Sequence, residues 1–150
     1  MAYVTLQQLK DRLGQSLYDR LTDRINGTTG NDAVGQQIVD EAEALVHSYL
    51  ARRYATPVDL TAHPELADVL AVRVLDVAEY VAWRGSPFVS DVPDRVEVLH
   101  GQAVRWLEAV AAGRVELPAS SPPRSRVASD DGPRYAATER KFTADELDGL

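Results

Sequence analysis

Between residues 118 and 134 the chain reads PASSPPRSRVASDDGPR, with four prolines, four serines and almost nothing large and apolar. Such a stretch favours extended, polyproline-like backbone and buries too little surface to build a core. Whatever folds cooperatively is therefore built from the residues before it. The sequence divides into a domain spanning residues 1–117 and an arm spanning residues 118–150. The far end of the arm, YAATERKFTADELDGL, regains apolar anchors. There Thr143 and Glu146 form a capping box that predicts a short terminal helix.

The first part is dense in aliphatic side chains, and their spacing predicts helices. Thr5 followed three residues later by Gln8 is a capping box; Leu6, Leu9 and Leu13 then share one face, and Gly14 ends the helix. A second short helix runs from Ser16 to about Leu21. Asn26-Gly27 and Gly30-Asn31 are turn chemistry. A long helix is predicted over residues 32–54. Its stripe is Ile38, Ala42, Leu45, Val46, Tyr49 and Leu50, with Asp40, Glu41 and Glu43 outside it. Pro57 lies beyond its end. Pro64 opens the next helix, in which residues 66–81 carry Val or Leu on nearly every side, as a central, buried helix does. A last helix runs from residues 91–93 to Gly113, with Val96, Leu99, Ala103, Trp106, Leu107 and Val110 inward. Arg114-Val115-Glu116-Leu117 alternates polar and apolar, which permits a short strand. The expected fold is mainly α: a small bundle of four to five helices with an extended C-terminal arm.

Composition excludes several classes of function. The 150 residues are 45% hydrophobic and 26% charged, which is globular in type. There is no cysteine. That removes disulfide scaffolds, thiol nucleophiles and cysteine metal sites, and it suits assembly in a reducing cytoplasm. No apolar run reaches the length of a membrane span, and MAYVTLQQLKD lacks the basic-then-apolar order of a secretion signal. The formal net charge is −7. Eleven Lys and Arg face seventeen Asp and Glu before residue 118; five face six after it. General binding to a phosphate backbone is disfavoured.

Motifs for catalysis are missing. His47, His63 and His100 have no metal-ligand spacing, and there is no His-Glu-x-x-His. His47 and Ser48 are helix neighbours, pointing about 100° apart, so they do not form a dyad. There is no Gly-x-Ser-x-Gly elbow and no phosphate-cradling glycine loop. The acids and amides around Asp23 invite a calcium reading. Counted from Asp23, however, the third, fifth and sixth positions are Ile25, Gly27 and Thr28, which is not the EF-hand order. No enzyme activity, metal or cofactor is expected.

Two groups of residues are candidates for an interface. Tyr49, Arg52, Arg53 and Tyr54 lie at the end of the long helix. The arginines there either complement the helix dipole or reach a partner, since Arg and Tyr are common at interface hot spots. Arg140, Phe142, Leu147 and Leu150 lie beyond the polar spacer. They either fold back on the body or anchor the arm to another chain.

Several blocks in order resemble the Mu-like phage head–tail connector family, also called neck adaptors or head-completion proteins. They are Tyr3-Val4-Thr5-Leu6 with Leu9, Arg12 and Gly14; Leu21-Thr22-Asp23-Arg24; Ser48-Tyr49-Leu50 with Arg53-Tyr54 and Pro57; Pro64-Glu65-Leu66; Asp76-Val77-Ala78 with Tyr80; Trp106-Leu107-Glu108; Gly113 with Val115 and Leu117; and Arg140-Lys141-Phe142-Thr143 with Leu147. The chain departs from the family pattern at Ile25-Asn26-Gly27, where an acidic loop is common. It departs again at Leu99-His100, where an Arg-Tyr pair is common.

The resemblance implies a structural virion protein at the head–tail junction, assembled in the host cytoplasm. It implies a homo-oligomeric ring below the portal, twelve-fold to match it. The ring's other partner is the next neck or tail-completion protein. DNA passes through the ring without sequence-specific binding. A different reading is a helical interaction or scaffolding module outside the virion, using its arm to bind one partner. A third is an enzyme whose groups escape motif reading.

Overall fold

The computed structural model describes residues 2–118. The predicted terminal helix, and Arg140, Phe142, Leu147 and Leu150, lie outside the described residues.

Five α-helices follow one another: α1 Leu6–Leu13, α2 Gln15–Thr22, α3 Asp32–Leu50, α4 Ala67–Gly85 and α5 Asp94–Ala111, with a 3-10 turn Pro64–Leu66 leading into α4. Among the described residues there is no strand; Arg114–Leu117 is irregular. α3, α4 and α5 pack on one another as the central bundle, and the α1–α2 pair lies against α3 and α4.

Two of the helix starts, those of α1 and α3, carry side-chain caps. The Thr5 side chain accepts from the Gln8 amide, and the Gln8 side chain accepts from the Thr5 amide at 2.8 Å, which completes the capping box. The Asn31 side chain caps α3 by accepting from Ala33 and Val34. One close approach fixes how α2 meets α3: a Cβ on Gly35 would strike the Tyr18 hydroxyl and the Leu6 side chain.

The core is one cluster. Val39, Leu50, Leu70, Val74 and Leu107 are fully buried within it, and Leu9 and Leu21 join it from the α1–α2 pair. Each such side chain adds about 1.5–3 kcal/mol relative to exposure.

Four expectations need correction. The long helix ends at Leu50, not at residue 54. The Arg53 and Tyr54 amides both donate back to the Leu50 carbonyl, closing a turn that carries Tyr54 inward. Glu43, predicted to face solvent, accepts from the Tyr3 amide at 2.6 Å and the Val4 amide at 3.0 Å, tying the N-terminal segment to α3. The helix predicted to be apolar all round is α4, but Val69 and Val72 are exposed on it while Asp76 and Glu79 are buried. In α5, Leu99 and Trp106 are only partly buried, while Val96, Ala103, Leu107 and Val110 face inward as expected.

Candidate functional site

The residues predicted to meet a partner separate into different environments. Arg52 is exposed, and its guanidinium stands 5.4 Å from the centre of the half-buried Tyr49 ring. Arg53 lies over Gly113, just past the end of α5. A Cβ there would collide with the guanidinium, and the φ of +77° already favours glycine. A cation beside the last turn of α5 complements that helix's dipole. Tyr54 is buried, 6% exposed, and its hydroxyl accepts from the Leu117 amide at 3.0 Å. It therefore belongs to the fold, holding the end of the described chain, and offers no surface to a partner. Of this group, Arg52 is exposed, Tyr49 and Arg53 are partly exposed, and Tyr54 alone is buried.

The strongest concentration of charge is one that motif reading missed. On α4, Asp76 and Glu79 have side chains only 4% and 3% exposed. Arg12 of α1 reaches both, with Nη2 2.6 Å from Asp76 and Nε 3.0 Å from Glu79. Arg95, at the start of α5, donates to the other Glu79 oxygen at 3.0 Å. Arg73 stands 3.6 Å from Asp76, and its guanidinium also lies 5.5 Å from the centre of the Trp106 ring. Burial disfavours the Arg12 cation, but the hydrogen bonds and charges of Asp76 and Glu79 outweigh it and raise the Arg12 pKa. The cluster joins α1, α4 and α5. Its carboxylates are already engaged by arginines, so they are poor candidates for acid–base work.

The turn that invited a calcium reading uses its acid internally. Both Asp23 oxygens accept backbone amides: Ile25 at 2.8 Å and Asn26 at 3.4 Å on one, Thr28 at 2.9 Å and Thr29 at 3.0 Å on the other. Those amides pull the Asp23 carboxyl down to about 2. Among the described residues no three His, Asp or Glu side chains are grouped to hold a metal ion.

The histidines sit in three settings. His47 meets the Tyr3 ring edge-on, with centroids 4.9 Å apart, and burial lowers its pKa. The neighbouring Ser48 hydroxyl donates to the Leu45 carbonyl, not to His47. His63 Nδ1 is 3.1 Å from Glu65. His100 stacks on Tyr80 with centroids 3.9 Å apart, and burial, then the Arg84 charge, lowers its pKa. That stack borders a half-open cleft of about 400 Å³ between α3, α4 and α5, lined also by Glu41, Leu45 and Arg84. The only hydroxyl in its lining belongs to Tyr80. The cleft can receive a small apolar or polar group, with Glu41, Tyr80, Arg84 and His100 as its polar lining.

No described helix is long and apolar enough to cross a membrane. The predicted order of short helices, the long central pair and the turn chemistry are thus in place along the described residues that carry the phage resemblance; its closing block, at residues 140–147, lies outside them. A comparison with protein families agrees over a longer span: the family described as Bacteriophage Mu, Gp36 matches residues 3–134. No curated protein matches the chain. With 132 of its 150 residues inside that match, the chain belongs to the bacteriophage Mu Gp36 family.

Proposed function

We propose that this protein is a head–tail connector: a structural virion protein whose copies form a ring below the portal, extend the DNA channel and dock the next neck or tail protein. The observation that carries the reading is the family match over residues 3–134, which makes the chain a Mu-like phage protein and supports a structural or morphogenetic role. The fold is compatible with the finer role. A ring subunit needs a body that keeps its shape while two different faces meet two neighbours. The Arg12, Asp76, Glu79 and Arg95 cluster ties three helices of such a body together. The reading requires no reaction and no cofactor, and we assign the protein no enzymatic role. DNA would pass through without base contacts, in keeping with the net charge of −7.

The test is localisation. Gold-labelled antibody against the protein, applied to purified particles and viewed by electron microscopy, is expected at the head–tail junction alone. Intact and disrupted particles without label, alongside an antibody that binds the free protein, would remove the connector reading in favour of a non-virion partner.

A further inference from the structure

Helix α4 carries opposite charge at its two ends, and each end also exposes apolar side chains. At its start lie Asp59, Glu65 and Asp68, all exposed, beside Val69 and Val72, which are 40% and 47% exposed. At its finish lie Arg20, Arg24 and Arg84, all exposed, beside Ile25 and Phe88, which are 87% and 38% exposed. The second group is drawn together by the fold. The Arg24 guanidinium lies 3.3 Å from where a Cβ of Gly85 would sit, and the Phe88 ring lies 3.2 Å from where a Cβ of Gly27 would sit. Ser86 Oγ donates to the Arg20 carbonyl at 3.4 Å. Among the described residues none of these three arginines forms an ion pair. The nearby Asp23 has its oxygens occupied by four amides. The helix dipole accounts for cations at a C-terminus and anions at an N-terminus. It does not account for large apolar side chains left in water beside both.

We infer that the two ends of α4 are the two halves of one head-to-tail contact: the Arg24, Arg84, Ile25 and Phe88 end of one copy seats on the Asp68, Glu65, Val69 and Val72 end of the next. The occupant of each patch is a second copy of this chain. Charge complementarity selects it, because neither patch matches itself and each matches the other. Pairing two unlike surfaces is the heterologous contact from which rings are made. Apolar residues ringed by opposite charges give such a contact burial at its centre and orientation at its rim. Asp68 and Arg84 are about 24 Å apart along the helix at 1.5 Å per residue, so one copy can contact two neighbours at once. The inference rests on the connector reading only for the ring; the contact itself can be tested separately.

The absence of cysteine gives a clean background for cross-linking. Full-length chains carrying Asp68→Cys or Arg84→Cys, at exposed positions, are checked for helix content, mixed, concentrated and treated with a short bis-maleimide at low salt. The mixed dimer is expected well above either same-residue dimer. The chain carrying both substitutions is expected to give a ladder of covalent oligomers. Adding Arg24→Glu, or raising the salt, is expected to bring the mixed dimer down to the level of a control pairing Gln37→Cys with Arg84→Cys. Mixed dimer no higher than that control, or equal yields of all three dimers, overturns the contact. So does protection of Arg84→Cys from a monofunctional maleimide in the dilute chain, which means that the same chain covers the patch. Gold label at the neck without the mixed dimer sinks the contact and leaves the connector. Mixed dimer without neck label does the reverse.

Discussion

Along α4 the usual places of acids and valines are exchanged. Asp76 and Glu79 are 3% exposed, whereas Val69 and Val72, about one to three turns earlier, are 40% and 47% exposed. The acids can lie inside because Arg12 and Arg95 occupy their oxygens, and an arginine fork matches carboxylates in both geometry and charge. The valines lie outside because nothing in the described chain covers them. Burial here follows the partner available at each position, not the polarity of the side chain alone.

The largest effect comes from removing the partner. Arg12→Ala leaves two buried carboxylates with only peripheral cations, and breaking a buried ion pair from one side costs about 3–5 kcal/mol. Urea unfolding is expected to show a loss at the lower end of that range, because Arg12 keeps some solvent access. Replacing Arg12, Asp76 and Glu79 together with apolar residues of similar size is expected to recover most of it. A loss below about 1 kcal/mol for Arg12→Ala would mean the cluster behaves as a surface bridge.

Tyr54→Phe is expected to cost less, about 1–2 kcal/mol, because it leaves the buried Leu117 amide without its acceptor. It is not expected to alter cross-linking between copies, since Tyr54 is inside the fold. Unchanged stability in a thermal melt, or a change in assembly, would reverse that assignment.

These two sites show where sequence reading succeeds and where it stops. The Thr5 and Gln8 box, the Leu9 and Leu13 stripe and the inward face of α5 follow from spacings within a turn or two, so they can be read from local sequence. The Arg12 cluster cannot: its bonds join residues 64 and 67 positions apart. Glu43 looked solvated for the same reason, since its amide partners are 39 and 40 residues away. Tyr54 was misplaced because helix pattern continues through Arg52 and Arg53. The turn that ends α3 at Leu50 is set by burial of the tyrosine ring, not by a glycine or proline at that point. In the Asp23 turn, nothing in the composition announced four amides on one carboxylate.

The pH dependence of stability is expected to separate two regions again. The folded pKa values of His47 and His100 are lowered by burial, so below about 6.5 the unfolded chain binds more protons than the folded one. Stability therefore falls as pH drops below about 6.5, and His47→Gln with His100→Gln flattens that decline. Asp23 acts lower. Its folded pKa of about 2 lies below the unfolded value of about 3.9, so its contribution is present above about 4 and is lost as pH falls toward 2. Asp32, Asp59 and Glu65 are lowered in the same direction, so Asp23→Asn shrinks that acid window without abolishing it and leaves the decline below about 6.5 in place. Denaturant midpoints measured across pH check both.

The smallest effect on the fold is expected at the exposed valines. Val72→Ser changes unfolding free energy by no more than about 0.5 kcal/mol, as surface substitutions usually do. It is nevertheless expected to weaken the Asp68–Arg84 cross-link between copies. A large destabilisation would show that Val72 is covered within its own chain.

The most direct test of the whole account is a symmetry-averaged cryo-electron microscopy reconstruction of the neck of the phage particle. The account predicts a ring of this protein beneath the portal, with the Arg24 and Arg84 end of α4 in each copy against the Asp68 end in the next. A neck whose density is filled entirely by other chains would contradict it.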